Sequence, residues 1–398
     1  MHKISADWVC PVSSEPIKNG VVIADDTGKI VGIERREQHD PSNLDIRRGV
    51  LVPGFVNTHC HLELSHMKGQ VDTGTGLIPF IKGVVTKRHA DAEFIAQAIQ
   101  QAEEEMWAAG IVAVGDISNA VDTFKVKSKG RLRYYTFVEV FDFLQEPGAE
   151  KVMSDGTGVY EQIDLAPGSA RAMVPHAPYS VSKNLFHKIK AFNPPSGSTI
   201  SIHNQETPPE NELFRSKTGG FIDFYNNFGI SLEAFEATGE PSIRYALQHL
   251  NPAHRTLFVH NTLTTRADID AAHAWSESVF WASCPNANLY IENRLPDYQT
   301  FMDADARVTL GTDSLTSNWQ LSILEEMKTI ARFQSYVPFQ TLLQWATLNG
   351  ARALGFEDSL GSIEVGKRPG LLLLHGIENL STDLQWKLSP NAAVERLI

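Results

Sequence analysis

The chain has 398 residues, 42% hydrophobic and 21% charged, enough for one large buried core or two of mixed size. Its formal net charge of −12 leaves no basic face on which nucleic acid or an acidic membrane could release counterions, so a small-molecule partner is expected. No run approaches the ~18 apolar residues that span a bilayer, MHKISADWVC lacks an apolar signal-peptide core, and Cys10, Cys60 and Cys284 are too scattered for a disulfide framework or a Cys-based zinc site; the cytoplasm is the expected location.

Residues 1–50 read as small β-structure, with VVIADDTGKIVGI as a hairpin turning at Asp25, Asp26, Thr27 and Gly28. The stretch LVPGFVNTHCHLELS follows. Its apolar residues Val50, Leu51, Val52, Phe55 and Val56 predict a buried strand that ends in His59 and His61. Side chains two apart on a strand share a face, so both imidazoles can reach one point, as metal ligands do; a pair of solvated or hydrogen-bonded core histidines would have the same spacing. Alternation turns Cys60 the other way, as a small buried residue behind the site. From Phe94 to Gly110, Ile95, Ile99, Ala102, Met106 and Ala109 recur at helical spacing, with Gly110 as the cap, and the strand IVAVGDIS comes next. Further strands are predicted at 134–140, 171–176, 199–203, 256–260, 279–284 and 307–313. Helical patterns such as PSIRYALQHL, with Pro241 in its first turn, lie between most of them. Eight strand–helix units over about 300 residues predict a (β/α)8 TIM barrel, an α/β fold whose chemistry sits at the C-terminal strand ends. Those ends carry His59 and His61, then His176, His203, His260 and Asp313.

Taken together, PGFVNTHCHLELS, PHAPYSVS, IHNQE, FVHNT, SCPNAN, GTDS followed by SN, LLQWATLNGARALG and GSIEVGKRPG resemble the amidohydrolase superfamily, in its cytosine/adenosine deaminase and chlorohydrolase branch. The resemblance spans nearly the whole chain in family order. It implies one divalent metal ion, zinc first and iron second, held by His59, His61, His203 and Asp313. It also implies Glu206 as proton shuttle, His260 as the residue that helps hold the attacking water or the leaving group, and His176 facing the substrate. The terminal β segments, 1–50 and 356–398, are implied to pair into a small β-sandwich beside a barrel spanning 51–355. One departure is Pro369-Gly370, where the family usually carries Ala-Asp.

Binuclear relatives bridge their metals with a carboxylated lysine or a glutamate at the end of strand three or four. Here strand four ends in His176, and Glu139 near the end of strand three is the alternative bridging ligand or a partner in a barrel-mouth salt bridge. His61-Leu62-Glu63 also spells the His-x-Glu of cytidine deaminases, but the accompanying Pro-Cys-x-x-Cys is missing; Glu63 is a candidate substrate contact or salt-bridge partner. HLELS, PFIKGVVTKR and PHAPYSVS are most similar to enzymes that deaminate aminodeoxyfutalosine, an adenine-bearing nucleoside. The implied function is hydrolytic deamination of an aminopurine nucleoside by metal-activated water, with Glu63 and Arg88 near the ribose or a carboxylate. Deamination of a free base (guanine, cytosine, pterin) and cyclic-amide hydrolysis are the alternatives. A non-enzymatic binding barrel would lack the acids, and Glu206 and Asp313 are both present. Homo-oligomerisation is left open.

Overall fold

The computed structural model describes residues 1–398. All eight strands of the expected series are present: β1 Phe55–Cys60, β2 Ile111–Ser118, β3 Arg133–Val140, β4 Ala170–Pro175, β5 Thr199–Asn204, β6 Arg255–His260, β7 Val279–Ser283 and β8 Val308–Leu310. They form two four-stranded parallel sheets, β1 to β4 and β5 to β8, each in sequence order. Strands covered on both faces are buried along their whole length, and every residue of β1, β5 and β7 is buried. The sheets meet at two margins. On one, Thr58 Oγ1 donates to Leu310 O at 2.9 Å, and the N–H groups of Thr312 and Asp313 both donate to His59 O at 3.0 Å. On the other, His203 N–H donates to His176 O at 2.9 Å.

Helices connect the strands. The helix α1 spans Leu77–Lys87 and α2 spans Ala92–Ala108. Asp91 caps α2 by accepting from the N–H groups of Glu93 and Phe94, and Ile99, Ala102 and Met106 form its buried face. Gly110, at φ +87°, turns the chain from α2 into β2; a Cβ there would meet Leu372 Cδ1 at 2.7 Å. No helix is long and apolar enough to cross a membrane.

The structure corrects one expectation. Residues 50–61 are two strands, not one, and the break is at Gly54. Val50–Pro53 pairs antiparallel with Leu371–Leu374 and in parallel with Trp8–Val9, whereas β1 pairs with β2. Pro53 has no N–H to continue a ladder, and a Cβ on Gly54 would stand 2.3 Å from Val112 Cγ1 and 2.7 Å from Pro369 O. The Gly54 N–H instead donates to Pro369 O at 3.0 Å, so the Pro369-Gly370 segment closes this junction.

Strands from both termini build two antiparallel-rich sheets. One orders Ile30–Arg35, Gly20–Ala24, His2–Ser5 and Asp45–Ile46; the other orders Lys387–Arg396, Leu371–Glu378, Val50–Pro53, Trp8–Val9 and Ile17–Lys18. Ile4 and Val22 of the first sheet and Leu51, Leu371 and Leu373 of the second share one small hydrophobic core. The hairpin at residues 25–28 forms as its composition predicts, with Asp25 Oδ1 accepting from the N–H groups of Thr27 and Lys29.

Because the approach at Gly54 is so close, Gly54→Ala is expected to lower stability by about 1–3 kcal/mol through overpacking. Chemical denaturation of the two proteins checks this; coincident midpoints would mean the junction has slack.

Candidate active site

Three strand ends bring four candidate ligands together. His59 and His61 extend from β1 with their Nε2 atoms 3.2 Å apart, and His203 at β5 brings a ring nitrogen within 4.8 Å of both. Asp313 Oδ1 lies 3.5 Å from His61 Nε2 and 3.8 Å from His59 Nε2. Ligands bound tetrahedrally at ~2.0–2.1 Å stand about 3.3 Å from one another, so this spacing fits donors around one ion. Protonation states fit as well. Burial first, then the neighbouring imidazoles, hold His59 and His203 well below the usual imidazole range, and His61 is lowered by burial too, leaving neutral rings with lone pairs. His203 Nδ1 is 2.8 Å from His176 O and donates to it, which directs Nε2 inward.

The backbone is bent to make this possible. Gln205, His260, Asn261 and Asp313 all have φ between +46° and +73°, a left-handed conformation that costs a non-glycine residue of order 1–3 kcal/mol. Each follows or ends a parallel strand. Gly311 is required by proximity, since a Cβ there would stand 2.9 Å from both His59 Cβ and His59 O.

Glu206 is buried beside this cluster, with Oε2 3.6 Å from His260 Nε2 and Oε1 without a hydrogen-bond partner. Burial, reinforced by Asp313 and Glu210, pushes its carboxyl well above the usual carboxylate range. His260 Nδ1 faces Asn288 Oδ1 at 2.9 Å and must donate to that acceptor, which leaves Nε2 toward Glu206. Asp313 Oδ2 accepts from Ser317 Oγ at 2.7 Å, so its Oδ1 is the atom facing the histidines.

A cavity of about 320 Å³ opens over these groups, bordered by His61, His176, His203, Glu206, His260 and Asp313. The remainder of its wall is largely apolar. Leu77, Phe80, Ile81 and Val84 of α1 form one side, and Phe141, Phe143, Phe224, Phe228 and Ile230 much of the other. His176 Nδ1 pairs with Ser180 Oγ at 2.7 Å, and burial lowers its pKa to about 3. Arg88 borders the cavity from the end of α1, but Glu63 stands behind the wall. Its Oε2 accepts from Asn119 N–H at 2.9 Å and Ala120 N–H at 3.2 Å, and its Oε1 is 3.5 Å from Arg88 Nη2. Burial raises Glu63 to about 7. Glu139 borders the cavity, pushed up to about 8 by burial, and makes no Lys or Arg salt bridge; its ionic neighbour is His203 Nδ1 at 3.6 Å.

Several supporting residues escaped the sequence reading. The Glu210 carboxylate accepts from the N–H groups of Gln205 (2.9 Å) and Glu206 (3.1 Å), while Thr262 Oγ1 donates to both of their carbonyls, so the backbone beneath Glu206 is clamped from both sides. Asp116 accepts from Leu62 N–H at 2.8 Å, next to His61, and is paired with buried Lys127 at 2.6 Å. Of these, only the acid four residues after Glu206 carried a signal, as an acidic residue in the first turn of a helix begun by Pro208.

Residues 50–396 match the amidohydrolase family. An adenosine deaminase of Helicobacter pylori is 28% identical over 327 residues, covering 81% of this chain and 78% of that one. A crystal structure of Helicobacter pylori aminofutalosine deaminase in complex with methylthio-coformycin aligns with a TM-score of 0.81 at 25% identity, over 96% of this chain and 94% of that one. An adenosine deaminase from Xanthomonas campestris with bound zinc shares the fold, with a TM-score of 0.72 at 24% identity over 94% and 84% of the two chains.

Removing one partner of the buried Lys127–Asp116 pair strands a charge. Lys127→Met is therefore expected to destabilise the protein by about 3–5 kcal/mol in urea unfolding. A loss below 1 kcal/mol would show that water reaches Asp116.

Proposed function

The chain belongs to the amidohydrolase family and is a hydrolase acting on carbon–nitrogen bonds; from that premise we propose that it is a metal-dependent deaminase that hydrolyses the 6-amino group of a purine nucleoside, releasing ammonia. The carrying observation is the buried Glu206 beside His260, its carboxyl pushed well above the usual range, next to three imidazoles and a carboxylate close enough to share one ion. We take the two parallel sheets as one closed (β/α)8 barrel over 51–355, with 1–50 and 356–398 forming a β-sandwich against it. The proposed ligands are His59, His61, His203 and Asp313, and zinc is the first choice of ion.

When bound, a divalent ion lowers the pKa of a water it holds from about 15.7 to about 7 and so provides a nucleophile at neutral pH. The chain's own groups manage the protons. Asp313 Oδ1, with Oδ2 already satisfied by Ser317, accepts a proton at the edge of the histidine cluster. Glu206 delivers its proton to the ring nitrogen next to the amino-bearing carbon, which makes that carbon electrophilic; the proton that Asp313 took from the water goes to the departing amine, and the proton lost by the new hydroxyl as it becomes a carbonyl restores Glu206. His260 Nε2, fixed by the Nδ1 contact to Asn288, steadies the attacking water or the leaving group. His176 contacts the purine from the cavity wall, while Glu63 acts at one remove by holding Arg88 and the Asn119 backbone. The apolar wall supports an enlarged 5′ group on the nucleoside, and Arg88 at its border supports a carboxylate on that group; aminodeoxyfutalosine is the first compound to test.

Purified protein should hold about one divalent ion per chain by elemental analysis, and His203→Ala should lose it. Two tightly held ions would sink the single-metal proposal. Glu206→Gln should reduce kcat by roughly 100-fold or more with metal content retained. Ultraviolet absorbance and ammonia release over adenosine, aminodeoxyfutalosine, guanine and cytosine test the substrate, and turnover of the bases with no attack on any adenine nucleoside would move the assignment to a base deaminase. Arg88→Met should impair carboxylate-bearing nucleosides more than adenosine.

A further inference from the structure

We infer that Glu139 and Asn119 form a subsite that recognises the vicinal 2′- and 3′-hydroxyls of a ribose; this rests on the nucleoside reading above and specifies which nucleosides the site takes. Glu139 lies near the end of β3 and Asn119 just beyond the end of β2, and both border the cavity beside His176. The Glu139 side chain is almost wholly buried, and its two oxygens are unequal. Oε1 accepts from Asn119 Nδ2 at 3.2 Å, whereas Oε2 has no hydrogen-bond partner. The nearby His203 Nδ1 is 3.6 Å away and already directed at His176 O.

The surrounding buried acids differ in this respect. Asp313 is held by Ser317, Glu63 by two backbone N–H groups, Glu210 by two more, and Glu326 by Asn286 and Asn318. Three acids border the cavity with an unpartnered oxygen: Asp313, whose Oδ1 faces the histidine cluster, Glu206, which has the proton transfer to perform, and Glu139, to which no role has yet fallen. A buried carboxyl oxygen without a partner is unfavourable, and a bound ligand that brings a hydroxyl, able both to donate and to accept, relieves it. The donors of a 6-aminopurine nucleoside are its amino group and its sugar hydroxyls. The amino group must sit at the histidine cluster to leave, so the hydroxyls are what remain for Glu139.

Asn119 supplies the second half of a diol site. Its Nδ2 donates to Glu139 O at 3.0 Å as well as to Oε1, and its backbone N–H is fixed by Glu63, which orients the amide with Oδ1 as a further acceptor. An amide and a carboxyl group on one cavity wall, already bonded to each other, suit two adjacent hydroxyls. A site built this way discriminates against a sugar that lacks one of them, because the acceptor is then buried unpaired.

The test compares kcat and KM for adenosine, 2′-deoxyadenosine and 3′-deoxyadenosine in the wild-type holoenzyme and in Glu139→Gln and Glu139→Ala, with metal content measured for each protein. Wild type should prefer adenosine over either deoxynucleoside by about 10-fold or more in kcat/KM, mainly through KM. Both variants should retain metal, and their preference for adenosine should collapse toward one. Equal use of all three nucleosides by the wild type would overturn the subsite, as would a variant that slows all three by the same factor. Loss of metal in both variants would also overturn it, by assigning Glu139 to the metal centre. An enzyme that deaminates none of the three yet turns over a free base marks failure of the nucleoside reading itself, and the subsite falls with it.

Discussion

One carbonyl organises the site. His59 O accepts N–H groups from both Thr312 and Asp313, so the residue that presents one imaginary corner of the ligand cluster also fixes the backbone of the carboxylate opposite it. Residues about 250 apart in sequence are thereby held at a spacing that side-chain rotation alone could not maintain. The arrangement demands Gly311, whose missing Cβ lets β8 lie against His59, and it demands the left-handed φ of Asp313 that turns Oδ1 inward. Strain at that residue is tolerated because the two hydrogen bonds and the Ser317 contact over-determine it.

Burial then sets the chemistry. The same low-polarity surroundings push the imidazoles down and the Glu206 carboxyl up, opposite shifts with one cause, the disfavouring of charge. A water-exposed Glu206 would be ionised at neutral pH, and water-exposed imidazoles would be protonated in part. Glu210 contributes twice, by accepting the Gln205 and Glu206 N–H groups and by adding a second acid that disfavours ionisation of its neighbour.

The parallel strands were legible because most contain a short apolar or β-branched stretch, such as VFWA in β7 or LFV in β6, between helical patterns. Polar residues at their ends stood out against that background, which is how His59, His61, His176, His203, His260 and Asp313 could be picked out together. The break at Gly54 was hidden. Val50–Pro53 and Phe55–Cys60 are both buried throughout, and what separates them is a partner, Leu371–Leu374, that no local pattern announces. The orientation of Glu63 was hidden too, because proximity to His61 in sequence says nothing of the two backbone N–H groups that claim its carboxylate. Ser317, Asn288 and Lys127 act through single hydrogen bonds or one ion pair, which leave no periodic trace.

The pairing of Val50–Pro53 with Leu371–Leu374 also has a temporal side. During synthesis the earlier strand leaves the ribosome roughly 300 residues before its partner, an interval of about 15–60 s at typical elongation rates. Trp8–Val9 is available at once to cover one edge, but the other edge stays open, with an apolar backbone that any extended segment could extend. His59 lies only a few residues beyond that open edge. The nascent chain therefore carries its first two candidate ligands next to an open apolar strand edge until residues 371–374 have been made.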